Sequence, residues 1–252
     1  MKIMSVINQK GGVGKSTTAQ ALMSGLSLRG YKVLGVDMDV QGNTTFTMRA
    51  AGKEPSVLDV LKGEAQIREA IVHTENGDLV PSSKHLAGAD AQITEVGKEY
   101  RLKEALETLE QSEYDYIIID TPPALGILTI NALAASHSIV IPVQADIYSL
   151  QGVTQLAETM TPVKKYCNPD LYIEGLLLTR YSPRSIISRD ITGMADEMAA
   201  KLKTKVFDAK IREGVAVKEA QISQDSIFHY APQAKVTADY AELVDEILKP
   251  RS

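Results

Sequence analysis

Short, uninterrupted apolar runs constrain this chain more than any other feature. Ile117-Ile118-Ile119 and Ile139-Val140-Ile141 leave no position for solvent, so each predicts a strand covered on both faces. With residues 2–7, 33–37 and 171–178 they make a series of buried strands, and helical patterns such as residues 17–28 lie between. Alternation of this kind predicts an α/β fold: a mostly parallel twisted sheet with helices on both faces. In such a sheet, ligands gather beyond the carboxyl ends of the strands, and each chemically suggestive segment here sits at such an end.

The strongest of those segments is Lys10-Gly11-Gly12-Val13-Gly14-Lys15-Ser16-Thr17, directly after the first apolar run and before a helical pattern. Glycines let the backbone fold tightly around a polyphosphate, so that N–H groups and the positive end of the following helix face the anion. Lys15 is placed to reach the β- and γ-phosphates, and Ser16 to put its hydroxyl on Mg²⁺. Gln9 stands where the common phosphate loop has its first glycine. The segment instead fits the deviant form of that loop, with an additional lysine at Lys10.

Carboxylates occupy the neighbouring strand ends. Asp120 closes the run of residues 116–120 and is followed by Thr121-Pro122-Pro123, as expected for an acid that holds Mg²⁺ through a coordinated water. Asp37 and Asp39 follow the second strand at alternating positions, which on an extended backbone point in opposite directions. Their roles should therefore differ, Asp37 facing the magnesium shell and Asp39 orienting the water that attacks the γ-phosphate.

On these residues the chain resembles the ParA/Soj family of chromosome- and plasmid-partitioning ATPases, in the MinD/ParA group of deviant Walker ATPases. The resemblance runs almost end to end. It is strongest at residues 8–18, 36–45, 117–123 and 141–152. It implies a single-domain P-loop NTPase sandwich over residues 1–252, with ATP and Mg²⁺ as cofactors. By the same resemblance Gly11, Gly12, Val13, Gly14, Lys15, Ser16 and Thr17 cradle phosphate, and Ser16, Asp37 and Asp120 serve magnesium. Lys15 and Asp39 act in hydrolysis. Lys10 contacts the ATP of a partner subunit in a nucleotide-sandwich homodimer, where Gly11 must stay small because the two loops meet. Thr179, Arg180 and Arg212 are the implied base contacts, although residues 210–214 lack the proline and asparagine common there. Family members coat DNA non-specifically as ATP-bound dimers, and a ParB-type centromere-binding partner stimulates a slow hydrolysis that releases them.

The net charge of −5 argues against a generally basic nucleic-acid binder, but residues 180–218 carry nine Lys/Arg against five Asp/Glu. That segment is the expected DNA-facing region, with Arg189 and Arg212 as the chosen contacts. No apolar run approaches the roughly 18 residues of a membrane span, and residues 1–7 enter a strand instead of a signal peptide, so a cytoplasmic, nucleoid-associated protein is expected. The alternative is a MinD-like membrane-patterning ATPase, which requires an amphipathic tether; residues 235–248 carry Val236, Tyr240, Leu243, Val244 and Ile247 at the spacing of a core-facing helix instead. A small-molecule kinase or synthetase of the same superfamily shares the loop and remains a third reading. Cys167 is the one cysteine, too few for an iron–sulfur electron carrier.

Overall fold

The computed structural model describes residues 1–144, 146–182 and 186–250, with the side chains of residues 147–151 and 186–189 outside the description. Seven strands form one sheet: β1 (Lys2–Val6), β2 (Val33–Asp37), β3 (Val72–Thr74), β4 (Gly77–Val80), β5 (Tyr116–Asp120), β6 (Ser138–Gln144) and β7 (Tyr172–Thr179). Their order is β3-β4-β2-β5-β1-β6-β7. Every pairing is parallel except that of β3 with β4.

Successive side chains on a strand point to opposite faces, and the apolar runs exploit both. Ile117 and Ile119 pack in one layer with the helices Val57–Lys62, Arg101–Glu107 and Ile127–Ala135, whereas Ile118 belongs to the layer beneath the helices Lys15–Ser27 and Lys235–Leu248. Val140 joins that second layer, and its neighbours Ile139 and Ile141 face the helices Ile147–Tyr166 and Ile186–Lys201. The five expected strands are all present. β3 and β4 were not foreseen: Val-His-Thr is three residues long, only partly buried and at the sheet edge, and β4 adds only four residues, so neither carries a readable alternation. A turn at Asn76-Gly77 makes the hairpin that joins β3 to β4, with Gly77 at a positive φ of 115°.

Ser56 caps the helix Val57–Lys62, its amide donating to the Asp59 carboxylate at 2.7 Å in a reciprocal cap. The Lys235–Leu248 helix buries Val236, Tyr240, Leu243, Val244 and Ile247 as expected. It lies close against the Lys15–Ser27 helix at Gly25, where an added Cβ would sit 2.6 Å from Val244 Cγ2.

The chain leaves β1 toward β2 and β4 on one side and later builds β6 and β7 on the other. The carboxyl end of β1 is therefore the switch point, where a crevice opens.

Candidate active site

The phosphate loop follows β1 directly into that crevice. Gly12 and Gly14 take φ of 76° and 91°, which a side chain would strain, and Gly14 caps the Lys15–Ser27 helix without any side-chain bond. The first-turn amides of that helix are thus left for a ligand. Two anchors fix the loop from outside. Thr179 at the end of β7 donates its hydroxyl to Val13 O at 2.9 Å, and Asn8 donates its amide to Pro142 O at 2.7 Å while accepting from the Lys10 amide at 2.9 Å. Asn8 therefore ties the entry of the loop to β6.

Lys15 is 6% exposed, with its ammonium donating to Lys10 O at 3.2 Å. Burial pulls its pKa down, opposed by the charges of Asp120 and Asp39. A desolvated ammonium beside two carboxylates is poised for a polyphosphate. Lys10 instead reaches Asp146, with its Nζ 2.9 and 2.7 Å from the two carboxylate oxygens. Within this one chain the additional lysine is held by an acid rather than turned into the loop.

Asp37 and Asp120 end adjacent strands in direct register. Asp37 is fully buried, with one oxygen accepting from the Thr45 amide and hydroxyl, both at 2.7 Å, and the other from the Asp39 amide at 3.1 Å. Asp120 is 1% exposed; one oxygen accepts from the Thr44 hydroxyl at 2.8 Å, and the other is buried with no protein partner. The Ser16 hydroxyl also interacts favourably with the Asp120 carboxylate. An orphaned carboxylate oxygen is expensive unless something occupies it, and a hydroxyl plus one carboxylate is the donor set magnesium takes when phosphate and water complete its shell. Among the described residues no three His, Cys, Asp or Glu side chains gather into a protein-only metal cage. Asp39 opens onto the crevice, with its Oδ1 accepting from the Gln41 amide at 3.0 Å. The two acids that follow β2 thus face different surroundings.

Burial pushes the pKa of both Asp37 and Asp120 up, and for Asp120 the nearby Asp37 charge adds to it. A carboxyl raised in the folded state stabilises the fold while protonated, and that stability is lost as pH rises through the folded pKa. Metal-free protein should therefore melt at progressively lower temperature as pH rises from 3.8, the ordinary carboxylate value, toward about 8, and Mg²⁺ with ADP should remove most of the slope. A melting temperature flat across that interval without metal would contradict the strained carboxylate pair.

The crevice has a volume of 720 Å³, and Thr179, Arg180, Arg212 and Tyr240 line it together with the phosphate loop. Arg180 has φ of 50°, a left-handed turn immediately after β7. Tyr240 lies on its inner wall with its phenol pKa raised by burial to about 12, so it stays neutral. Arg212 donates to the buried Asp239 through Nε at 2.7 Å and Nη2 at 2.6 Å, and its own amide reaches the same carboxylate at 3.0 Å. Arg212 thus lines the crevice with its fork fixed by Asp239. Lys205 is similarly committed to the buried Glu246 at 2.7 Å. The Arg189 side chain lies outside the described residues.

Sequence reasoning missed Thr44, Thr45, Asp146 and Asp239. Two threonines directly after Gly42-Asn43, beyond a pair of strand-end acids, were the available signal for hydroxyls turned back on carboxylates. The other two residues lie far from their partners in sequence and gave none.

The profile of the AAA-domain family matches residues 1–173. The sporulation initiation inhibitor protein Soj of Bacillus subtilis is 41% identical over 251 residues, covering 98% of each chain. The chromosome partitioning protein ParA of Caulobacter vibrioides is 35% identical over 98% of this chain and 94% of its own. Among solved structures, cobyrinic acid a,c-diamide synthase of Mycobacterium smegmatis with bound ADP and magnesium superposes with a TM-score of 0.82 at 34% identity, covering 97% of this chain and 93% of that one. The cell division ATPase MinD of Pyrococcus furiosus superposes with a TM-score of 0.79 at 27% identity, over 98% of both chains.

Proposed function

The chain belongs to the AAA-domain family of P-loop ATPases and, within it, to the Soj/ParA partitioning proteins, and from that premise we propose that it is a Mg²⁺-dependent ATPase that moves DNA cargo. The observation that carries the chemistry is the convergence of the desolvated Lys15, Ser16 and Asp39 on one crevice, with the partnerless Asp120 oxygen buried beside Ser16. In this reading Lys15 and the loop amides take the β- and γ-phosphates, Ser16 and Asp120 hold the metal, and Asp37 supports it from behind through Thr45 and the Asp39 amide. Magnesium, when bound, neutralises charge on the phosphates. Asp39 holds the attacking water in line, and since phosphoryl transfer is mainly positioning and charge stabilisation, no further acid is needed.

Lys10 gives the reading its switch. Release from Asp146 frees it for the ATP of a second copy, so nucleotide joins two chains into a dimer. The dimer binds DNA without sequence preference through basic residues of the 180–218 segment, and a ParB-type partner stimulates hydrolysis and release. The membrane alternative requires an exposed apolar helix face, whereas the Lys235–Leu248 helix turns its apolar residues to the core. Among the described residues no helix is long and apolar enough to cross a membrane.

Binding to an arbitrary DNA duplex tests the reading. With ATP and Mg²⁺ the protein should bind, with ADP it should not, and affinity should fall steeply with salt because each phosphate contact releases counterions. Binding that ignores the nucleotide or survives moderate salt unchanged would overturn it, and ATP-dependent sedimentation with anionic liposomes would favour the membrane relative.

A further inference from the structure

The crevice has two walls that the chain builds far apart in sequence, and a small set of amides ties them together. One wall is the short helix Asn43–Thr47, whose Asn43, Phe46 and Thr47 face the crevice and whose Thr44 and Thr45 hold Asp120 and Asp37. The other is the helix Val215–Ile222, which follows Arg212 and contributes Val217, Lys218, Gln221 and Ile222, the nucleoside end in the ATP-site reading. Gln224, just past that helix, donates its side-chain amide to Phe46 O at 3.0 Å. Asn76, from the β3–β4 hairpin, donates to Thr47 O at 3.3 Å and to Gln224 O at 3.0 Å.

A single side-chain NH₂ has two donors, so Asn76 spends both on this junction. Gln224 sits at φ 52°, a left-handed conformation that disfavours a non-glycine residue. That turn ends the Val215–Ile222 helix, with the Asp225 amide donating to Ala220 O at 3.0 Å, and it aims the Gln224 side chain at the carboxylate-bearing helix.

We propose that Gln224 and Asn76 are positioning residues that couple the nucleoside end of the crevice to the metal-binding carboxylates. Movement of the Val215–Ile222 helix on a bound nucleoside is passed through the Phe46 and Thr47 carbonyls to the helix that aims Thr44 at Asp120 and Thr45 at Asp37. Neither residue touches the phosphates or the metal. The coupling rests on the crevice being an ATP site, and it adds a reason why base and metal should be bound together.

The test compares wild type with Gln224→Gly, which removes the amide while easing the backbone, and with Asn76→Ala. Mn²⁺, a spectroscopic stand-in for magnesium, is titrated into ADP-saturated protein and followed by EPR, beside ADP affinity without metal and the kcat of ATP hydrolysis. Both variants should weaken Mn²⁺ binding to the ADP complex by about five-fold and lower kcat by a similar factor, with metal-free ADP affinity unchanged within about two-fold. A merely structural role would lower the melting temperature and leave Mn²⁺ affinity where it was, and that result in either folded variant overturns the coupling. Wild type that fails to bind ADP at all overturns the ATP-site reading beneath it, so the two failures are distinct.

Discussion

Lys15→Ala should lower the affinity for ATP by roughly 10- to 100-fold, the range expected when a charge-assisted contact to phosphate is removed. The local electrostatics push the effect to the upper end. Lys15 is the cation between Asp120 and Asp39, so its removal leaves a polyphosphate facing two carboxylates without compensation. The unliganded fold should survive, because the buried ammonium is itself costly to desolvate and its one hydrogen bond is to Lys10 O. Calorimetric titration with ATP and Mg²⁺ separates the effects, since binding is lost while the melting temperature of the free protein stays near that of wild type. Affinity within about three-fold of wild type would remove Lys15 from the phosphate site and the loop assignment with it.

Much of this site could be read from local sequence, and what could not has a common physical cause. The phosphate loop is legible because its glycines, lysine and serine act within eight consecutive residues, and the strand-end acids because an apolar run must stop where a charge begins. The central strands follow from burial on both faces, as the division of Ile117 and Ile119 from Ile118 shows. What sequence hid depends on long-range closure. Arg212 looks like a free basic residue until the Lys235–Leu248 helix brings Asp239 within 2.6 Å of it. Lys10 meets Asp146 across 136 residues, and Gln224 meets Phe46 across 178. No periodicity within a helix or strand encodes such meetings; they exist only once the parallel sheet has set the order β5-β1-β6. The edge strand β3 escaped for the opposite reason, since three partly exposed residues satisfy no pattern strongly enough.

Asp39→Ala should keep ATP and lose hydrolysis, whereas Asp37→Ala should lose the loop itself. The distinction follows from their hydrogen bonds. Asp37 accepts three, from the Thr45 amide and hydroxyl and the Asp39 amide, so its removal leaves buried donors unpaired beside the metal site. The Asp39 side chain accepts only from the Gln41 amide, and the backbone of Asp39 keeps its own bonds to Asp37 and to the Ser82 hydroxyl after truncation. The crevice shape therefore persists and what disappears is the carboxylate proposed to position the water. Loss of a positioned base costs about 10²- to 10⁴-fold in rate, and ATP affinity should change little because the carboxylate repels phosphate instead of holding it. A dimer that hydrolysis dissolves should then accumulate, so Asp39→Ala with ATP should remain on DNA at salt concentrations where wild type, given time to turn over, has left. Single-turnover hydrolysis and DNA retention measured on the same preparation decide it: a variant that hydrolyses at the wild-type rate, or one that binds ATP yet leaves DNA as fast as wild type, would sink the assignment of Asp39 to the water.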